Sequence, residues 1–337
     1  NADIVASAFF LLSRYEELIN TARDEHGRFA GKNSLPCRAN FLHRPVVDEY
    51  GRAFRKLLKD NGFALPDETS GINKIFLTHD VDKLAYYRNL RSLVAAFVHG
   101  KNRKLALKSF FGKPENDCWF TFPWLFEQDN LLKNRNVEKI CFVLKANKTC
   151  IEDRTKYNFR NKDFLHFLEL CQKNGVQIGL HASYAAGKNP IFIAQEKKSL
   201  EKAIGQSVTF NRNHYLCARE PQDFRTLIHS GITADFTMGY ADVAGFRLGT
   251  SKAVRWIDAI RLEITNLHLH HLLMMDNTLS DEKYMHLTEK EAFDYAVQLI
   301  AQTEKFNGDL SLLWHNSSVA ESYHRNLYSK IIEYLAK

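Results

Sequence analysis

The sequence predicts an α/β fold with a parallel sheet, curved into a closed or nearly closed barrel that follows an N-terminal accessory segment. Three observations predict it. From about residue 73 onward, short β-branched and aromatic runs alternate with amphipathic stretches of helical length, the pattern of repeated βαβ units. About seven such runs fit into the 337-residue chain, a number that suits a barrel better than a short open sheet. The composition, 45% hydrophobic and 25% charged, is that of a globular chain long enough to bury a large core without disulfides or a structural metal.

Residues 1–72 read as the accessory segment. Ala8, Phe9, Leu11, Leu12, Tyr15 and Leu18 recur at helical spacing within 6–19, and 46–58 reads as a second helix. Residues 24–29 are a polar loop, and 66–71 have a linker's composition. The strands then follow at 74–78, 138–144, 176–180, 208–210, 232–236, 262–269 and 310–314. Helices are expected at 163–174, with Asp163 as N-cap and Gly175 as stop, and at 195–204, 222–229, 288–305 and 319–336. The barrel domain spans 73–337.

Residues 84–135 interrupt the alternation. This insertion is basic at first (Arg88, Arg91, Lys101, Arg103, Lys104, Lys108) and aromatic later (Trp119, Phe120, Phe122, Trp124, Phe126). The aromatic rings suit packing of a helical lid, and they would also stack on sugar rings.

The net charge is +7. A solvated basic surface is the ordinary reading, and attraction to an anionic substrate or a membrane surface is the sharper one. No nucleic-acid motif is present, so nucleic acid is not an expected partner. The six cysteines form no C-x-x-C pair, which argues against a zinc ribbon and fits a reducing, cytoplasmic location. No apolar run reaches transmembrane length. The apolar start lacks a basic leader and a cleavage site, so it is not read as a signal peptide.

Chemistry is expected at the C-terminal ends of the strands. There the first strand ends Thr78-His79-Asp80-Val81-Asp82, the third reaches His181, the fourth runs into Arg212 and His214, the fifth holds Asp235 and the last leads to His315. Residues i and i+2 of an extended segment share a face, so Asp80 and Asp82 project together. Two neighbouring carboxylates repel unless a cation sits between them or one is protonated. One metal ligand and one general base is therefore the natural division, and His181 is the natural companion ligand.

These segments resemble the polysaccharide deacetylase (NodB-homology) family, whose fold is a distorted (β/α)7 barrel. Residues 77–82 (LTHDVD) are similar to its first motif, which makes Asp80 the base and Asp82 a ligand. Residues 179–187 (GLHASYAAG) are similar to its second, with His181 as the first ligand histidine and Ala185 where a second is expected. A third ligand must then come from elsewhere, with His214 the best substitute and His79 the next. Residues 211–216 (NRNHYL) place Arg212 beside the base and a backbone N–H near Tyr215 at the oxyanion. Asp235 would tune the acid histidine, and residues 312–316 (LLWHN) place that acid at His315. RYEE, HGRF and RPVVDEY resemble the N-terminal part of a bacterial subgroup.

The resemblance implies a metal-dependent hydrolase, with zinc the expected divalent ion, that removes an N- or O-acetyl group from a carbohydrate. An anionic glycan is one such substrate. The alternatives are a non-catalytic glycan-binding or assembly protein on the same barrel, and a hydrolase of a small non-sugar amide. Tyr215, Arg247, Asp276 and Trp314 are the candidate substrate contacts. Arg247 would meet an anionic group or else pair with a buried carboxylate. His268, His270 and His271 make a second metal conceivable, though edge-of-core histidines explain them more simply.

Overall fold

The computed structural model describes residues 3–100, 102–145, 150–155 and 157–337; Lys101 of the basic run lies outside them. Among the described residues, nine strands form one sheet: β1 (Lys74–Val81), β2 (Val137–Leu144), β3 (Val176–Ala182), β4 (Phe210–Asn213), β5 (Ala234–Met238), β6 (Val254–Asp258), β7 (Glu263–His271), β8 (Met274–Met275) and β9 (Asp309–Leu313). Their order is β6-β7-β5-β4-β3-β2-β1-β9-β8. Every neighbouring pair is parallel except β6 with β7. The chain is therefore an α/β protein with a mostly parallel sheet, as its alternating pattern predicts.

The sheet curls strongly. Phe76 on β1 and Phe236 on β5 are four strands apart in the order, a separation of roughly 19 Å in a flat sheet. Their ring centroids lie 5.3 Å apart. With Ile140, Phe142 and Ala234 they fill the inside of the curve. The two ends of the sheet are bridged by a single stretch of chain. Leu272 N–H donates to Met238 on the β5 side, and Leu273 N–H donates to Ser311 of β9.

Helices cover the outer face, so the parallel strands are apolar on both sides. Phe164 and Phe167 of the helix Lys162–Lys173, Leu227 of Gln222–His229, Leu299 of Glu289–Lys305 and Ile331 of Ser322–Ala336 are all buried in this outer core. The helix at 162 is capped by Asn161, whose side chain accepts from the Asp163 N–H at 2.7 Å. Asp163, expected as the cap, instead clasps Arg88 of the insertion at 2.6 and 2.8 Å. β6 escapes prediction because it alternates charge with a few apolar residues, while the strand exit expected at Met274–Asp276 is β8, only two residues long.

The N-terminal segment packs directly on this framework. Arg14 adopts a left-handed conformation (φ 54°) that separates the helices Ile4–Leu12 and Tyr15–Ile19. Its guanidinium then reaches Glu17 at 3.0 Å and Glu220 at 3.1 Å. The two parts meet backbone to backbone at Gly245 (φ 144°), where a Cβ would stand 2.6 Å from the Leu42 carbonyl oxygen. Only glycine tolerates both that conformation and that contact. The insertion 84–135 contributes helices Leu90–Val98, Arg103–Phe111 and Phe122–Asp129. Phe120, Phe122 and Phe126 are buried in the main core, so these rings serve packing.

Candidate metal centre

The C-terminal ends of β1 to β4 are in register: Val81 pairs with Val143, Leu144 with His181, and His181 with Arg212. This alignment brings side chains from distant parts of the sequence to one floor. Alternation along β1 sorts its polar residues. Asp80 and Asp82 both approach His181 Nε2, at 3.5 Å and 3.2 Å. His79 points the other way, with Nδ1 donating to the Trp314 carbonyl and Nε2 3.1 Å from Asp129. It therefore takes no part in the cluster.

His214 does. It lies just past β4, where Tyr215 and Leu216 are left-handed (φ 59° and 54°); such backbone strain gathers at functional sites. Asp82, His181 and His214 each offer one ligand atom, all within 4.8 Å of one another. The outer nitrogen of each ring is committed elsewhere. His181 Nδ1–H donates to the Arg212 carbonyl at 2.9 Å, and His214 Nδ1–H donates to Asp153 at 3.1 Å. These bonds aim both Nε2 atoms inward, the arrangement that orients ligand histidines. His181 Nε2 and Asp82 Oδ1 are buried without a hydrogen-bond partner. Two lone-pair atoms held 3.2 Å apart repel unless a proton or a cation lies between them. Two imidazoles and a carboxylate suit a divalent cation such as zinc, so the residues present fit the implied metal.

Asp82 is held well below the usual carboxylate range. Burial alone would raise it, but His214 and His181 outweigh burial. Burial would likewise lower His214, yet Asp82 and Asp153 raise it to about 9.

Asp80 and His315 flank the cluster. Asp80 accepts from Arg212 Nη1 at 2.8 Å. That guanidinium is fully buried over the Phe142 ring at 4.4 Å, and it also donates to Thr78 Oγ1 and the Phe236 carbonyl. His315 Nε2 lies 3.9 Å from Asp82. Burial would depress His315, but Asp276 beside it pushes it up to about 10.

The structure changes three expected roles and decides between the two offered for a fourth. Asp235 does not reach His315: it accepts from Asn211 and from the backbone and hydroxyl of Thr237. The reason is topological. The neighbours of β9 are β1 and β8, not β5, so the carboxylate beside His315 comes from the exit of β8. That carboxylate is Asp276, expected as a groove residue but fully buried against His315. Arg247 is 6% exposed and donates to both oxygens of Glu17 and to the Gly239 carbonyl. The buried-carboxylate alternative is thus the one observed. Trp314 is fully buried, with its indole N–H on the His324 carbonyl, because alternation turns it away from His315. Of the three histidines on β7, His270 stacks on Phe236 with centroids 4.4 Å apart, and His271 tilts against Phe246. They do not converge on a second centre.

Two contributors were not among the expected site residues, although one of them, Arg28, belongs to the HGRF segment. Asp153 lies in the loop after β2 and accepts from the Tyr184 and Ala185 N–H groups as well as His214. Ala185, buried in the short helix Tyr184–Lys188, thus helps hold the carboxylate that orients His214. Arg28 comes from the N-terminal segment. It is anchored by Asp24 at 2.8 Å and donates to the Tyr215 carbonyl at 3.0 Å. The pocket above Asp80, Asp82, His181, His214 and His315 has a volume of ≈330 Å³, and Arg28 and Tyr215 stand in its wall. Residues 84–135 do not line it; they line a neighbouring cleft that shares Lys83, Glu152, Arg154 and Tyr215 with it.

Comparison with known proteins adds the following. Residues 1–62 match a family of unknown function (DUF7033). No curated protein matches the chain. Among solved structures, the chain is similar to one assigned as a polysaccharide deacetylase from Mycobacterium smegmatis, at 15% identity over 81% of this chain and 86% of that one, TM-score 0.47. It is similar to another so assigned from Pseudomonas aeruginosa PAO1, at 11% identity over 78% and 85%, TM-score 0.44. It is also similar to the Puue allantoinase, at 10% identity over 81% and 91%, TM-score 0.44.

Proposed function

We propose that this chain is a metal-dependent hydrolase that removes an acetyl group from a carbohydrate. One observation carries the reading. Asp80 and His315 face one pocket from either side of the Asp82–His181–His214 cluster, and each is held by its own oppositely charged, buried partner. A general base, a cation site and a general acid in that arrangement suit hydrolysis of an acyl bond. The carbohydrate part of the reading rests on the likeness of LTHDVD, GLHASYAAG, NRNHYL and LLWHN to deacetylase motifs.

Asp82, His181 and His214 would hold the ion, and zinc is the ion this donor set suits. When bound, it supplies Lewis-acid polarisation of the acyl oxygen and acidification of water. Arg212 orients Asp80 and offsets its charge, so that Asp80 Oδ2 is placed to accept a proton from the attacking water. The N–H at Tyr215, set in its left-handed turn, is the proposed donor to the developing oxyanion, a role worth roughly 3–4 kcal/mol. His315, raised to about 10, is protonated near neutrality and delivers its proton to the leaving amine or alcohol. Asp153 and the Arg212 carbonyl fix the ligand tautomers.

The test is metal analysis of the purified chain, followed by acetate release from a panel of N- and O-acetylated glycans, with Asp80→Asn as control. One divalent ion per chain and acetate release abolished in the variant are expected. Absence of both metal and acetate would overturn the proposal. Glycan binding without acetate release, unchanged in Asp80→Asn, would favour a non-catalytic binding protein.

A further inference from the structure

From Lys83 to Pro114 the chain carries eight Lys or Arg residues and no Asp or Glu. The whole protein has a net charge of +7, so the remainder is balanced to within one charge. Four of the eight, Arg91, Arg103, Lys104 and Lys108, lie on the pair of helices Leu90–Val98 and Arg103–Phe111, whereas Arg88 is neutralised by Asp163. The four helix residues are exposed. Among the described residues, no carboxylate lies within ion-pair range of any of these four.

The same unit exposes apolar side chains. Leu90, Val94, Phe97 and Val98 are 66%, 52%, 41% and 72% exposed, and their i, i+4, i+7, i+8 spacing makes one stripe along the first helix. Phe111 on the second helix is 77% exposed. The inward side is already used: Ala96 and Ala106 pack with Tyr87 and Leu93. Among the described residues, therefore, nothing covers the outer stripe. Arg103 reaches back across the tip to the Phe97 carbonyl, with its guanidinium 5.8 Å from the Phe97 ring centroid. Cation and apolar ring are thus presented together.

We infer that this helical pair docks on the surface of an anionic lipid bilayer. A polyanion such as a nucleic acid would satisfy the cations but leave the apolar stripe in water. An apolar protein groove would bury the stripe but leave the cations unmatched. A bilayer with acidic headgroups meets both needs, because apolar side chains enter the acyl boundary while Lys and Arg remain among the phosphates. The first helix also walls the cleft next to the catalytic pocket, through Asn89, Arg91, Ser92 and Ala95.

The test is flotation of the full chain with vesicles of phosphatidylcholine alone or mixed with phosphatidylglycerol. Binding to the mixed vesicles is expected, with little binding to the neutral ones and loss in salt that cuts the screening length to about 3 Å. Arg103→Gln with Lys104→Gln and Lys108→Gln should weaken binding by about a hundredfold. Phe97→Ser with Val98→Ser should weaken it as well, and thermal unfolding of each variant checks that the fold persists. No binding to mixed vesicles by the folded chain overturns the inference, as does equal binding to both vesicle types. Full binding by the Phe97/Val98 variant overturns the part given to the apolar stripe and leaves an attraction by charge alone. The readout is independent of acetate release, so it stands or falls separately from the hydrolase reading.

Discussion

His315 Nδ1 lies 2.9 Å from Asp276 Oδ1, while the backbone N–H of His315 donates to Asp276 Oδ2 at 2.8 Å. One buried carboxylate therefore fixes both the ring and the main chain of the same histidine. The ring nitrogen that faces the pocket is Nε2, and its proton is retained because the carboxylate outweighs burial and lifts the group to about 10.

Asp276→Asn should remove that support. The imidazole would then titrate lower, and a general acid that deprotonates earlier is lost earlier as pH rises. The alkaline limb of kcat, set near pH 10 by the wild-type group, should move toward neutrality, with kcat at neutral pH falling by about 10²–10³. A pH–rate profile of acetate release checks this. An unchanged alkaline limb would reject His315 as the acid.

Asp80→Asn separates chemistry from metal binding. Asp80 is tied to Arg212, not counted among the three converging ligands. The variant should keep its divalent ion and lose roughly 10²–10⁴ of its activity, as expected when a general base is removed. It should also be less stable by about 3 kcal/mol, because Arg212 stays buried with its carboxylate partner gone. Metal content, acetate release and denaturant unfolding measure the three effects. Loss of the ion in Asp80→Asn would redraw the ligand set.

Asp153→Asn should weaken metal affinity by about 10–100-fold, the usual cost of removing the group that orients a ligand histidine. Competition with a chelator measures it. His214→Ala should have a larger effect, since it removes a donor atom. An Asp153 variant with wild-type affinity would show that the His214 tautomer does not need fixing.

The parts of the site that were legible in the sequence lie on regular strands. Alternation placed Asp80 and Asp82 on one face and His79 on the other, and the structure keeps that division. His181 and His315 were found because they follow apolar runs directly. Asp235 was misassigned because the sequence gives strand order along the chain but not around the sheet. Only the order β1-β9-β8 shows that Asp276 is the neighbour of His315. Asp153 stands in a loop without periodic pattern, so nothing local marks it, and HGRF marked the segment that holds Arg28 but not its reach to Tyr215. Arg247 was ambiguous until Glu17 was seen opposite it. The core was easier to read, since its hydrophobic periodicity is repeated in every βα unit.

The last prediction concerns how the N-terminal segment is held. Glu17 lies between Arg14 and Arg247, at 3.0 Å and 2.7 Å. Burial alone would raise its pKa, but the two guanidinium groups lower it to about 2, from an ordinary value of 4.5. A depressed carboxylate contributes stability that is present above its unfolded value and lost as pH falls through its folded value. The segment should therefore loosen between pH 4.5 and about 2. Glu220 acts in the opposite sense: burial raises it to about 7, with Arg14 opposing, so it takes stability away as pH rises from 4.5 toward 7. Glu17→Gln should abolish the acid limb and cost about 3–5 kcal/mol at neutral pH, because Arg247 then stays buried without its carboxylate. Denaturant unfolding from pH 2 upward, with limited proteolysis of residues 1–72 as the local probe, measures both limbs. If Glu17→Gln unfolded with the wild-type midpoint at every pH, this ion cluster would not be what holds the segment to the sheet.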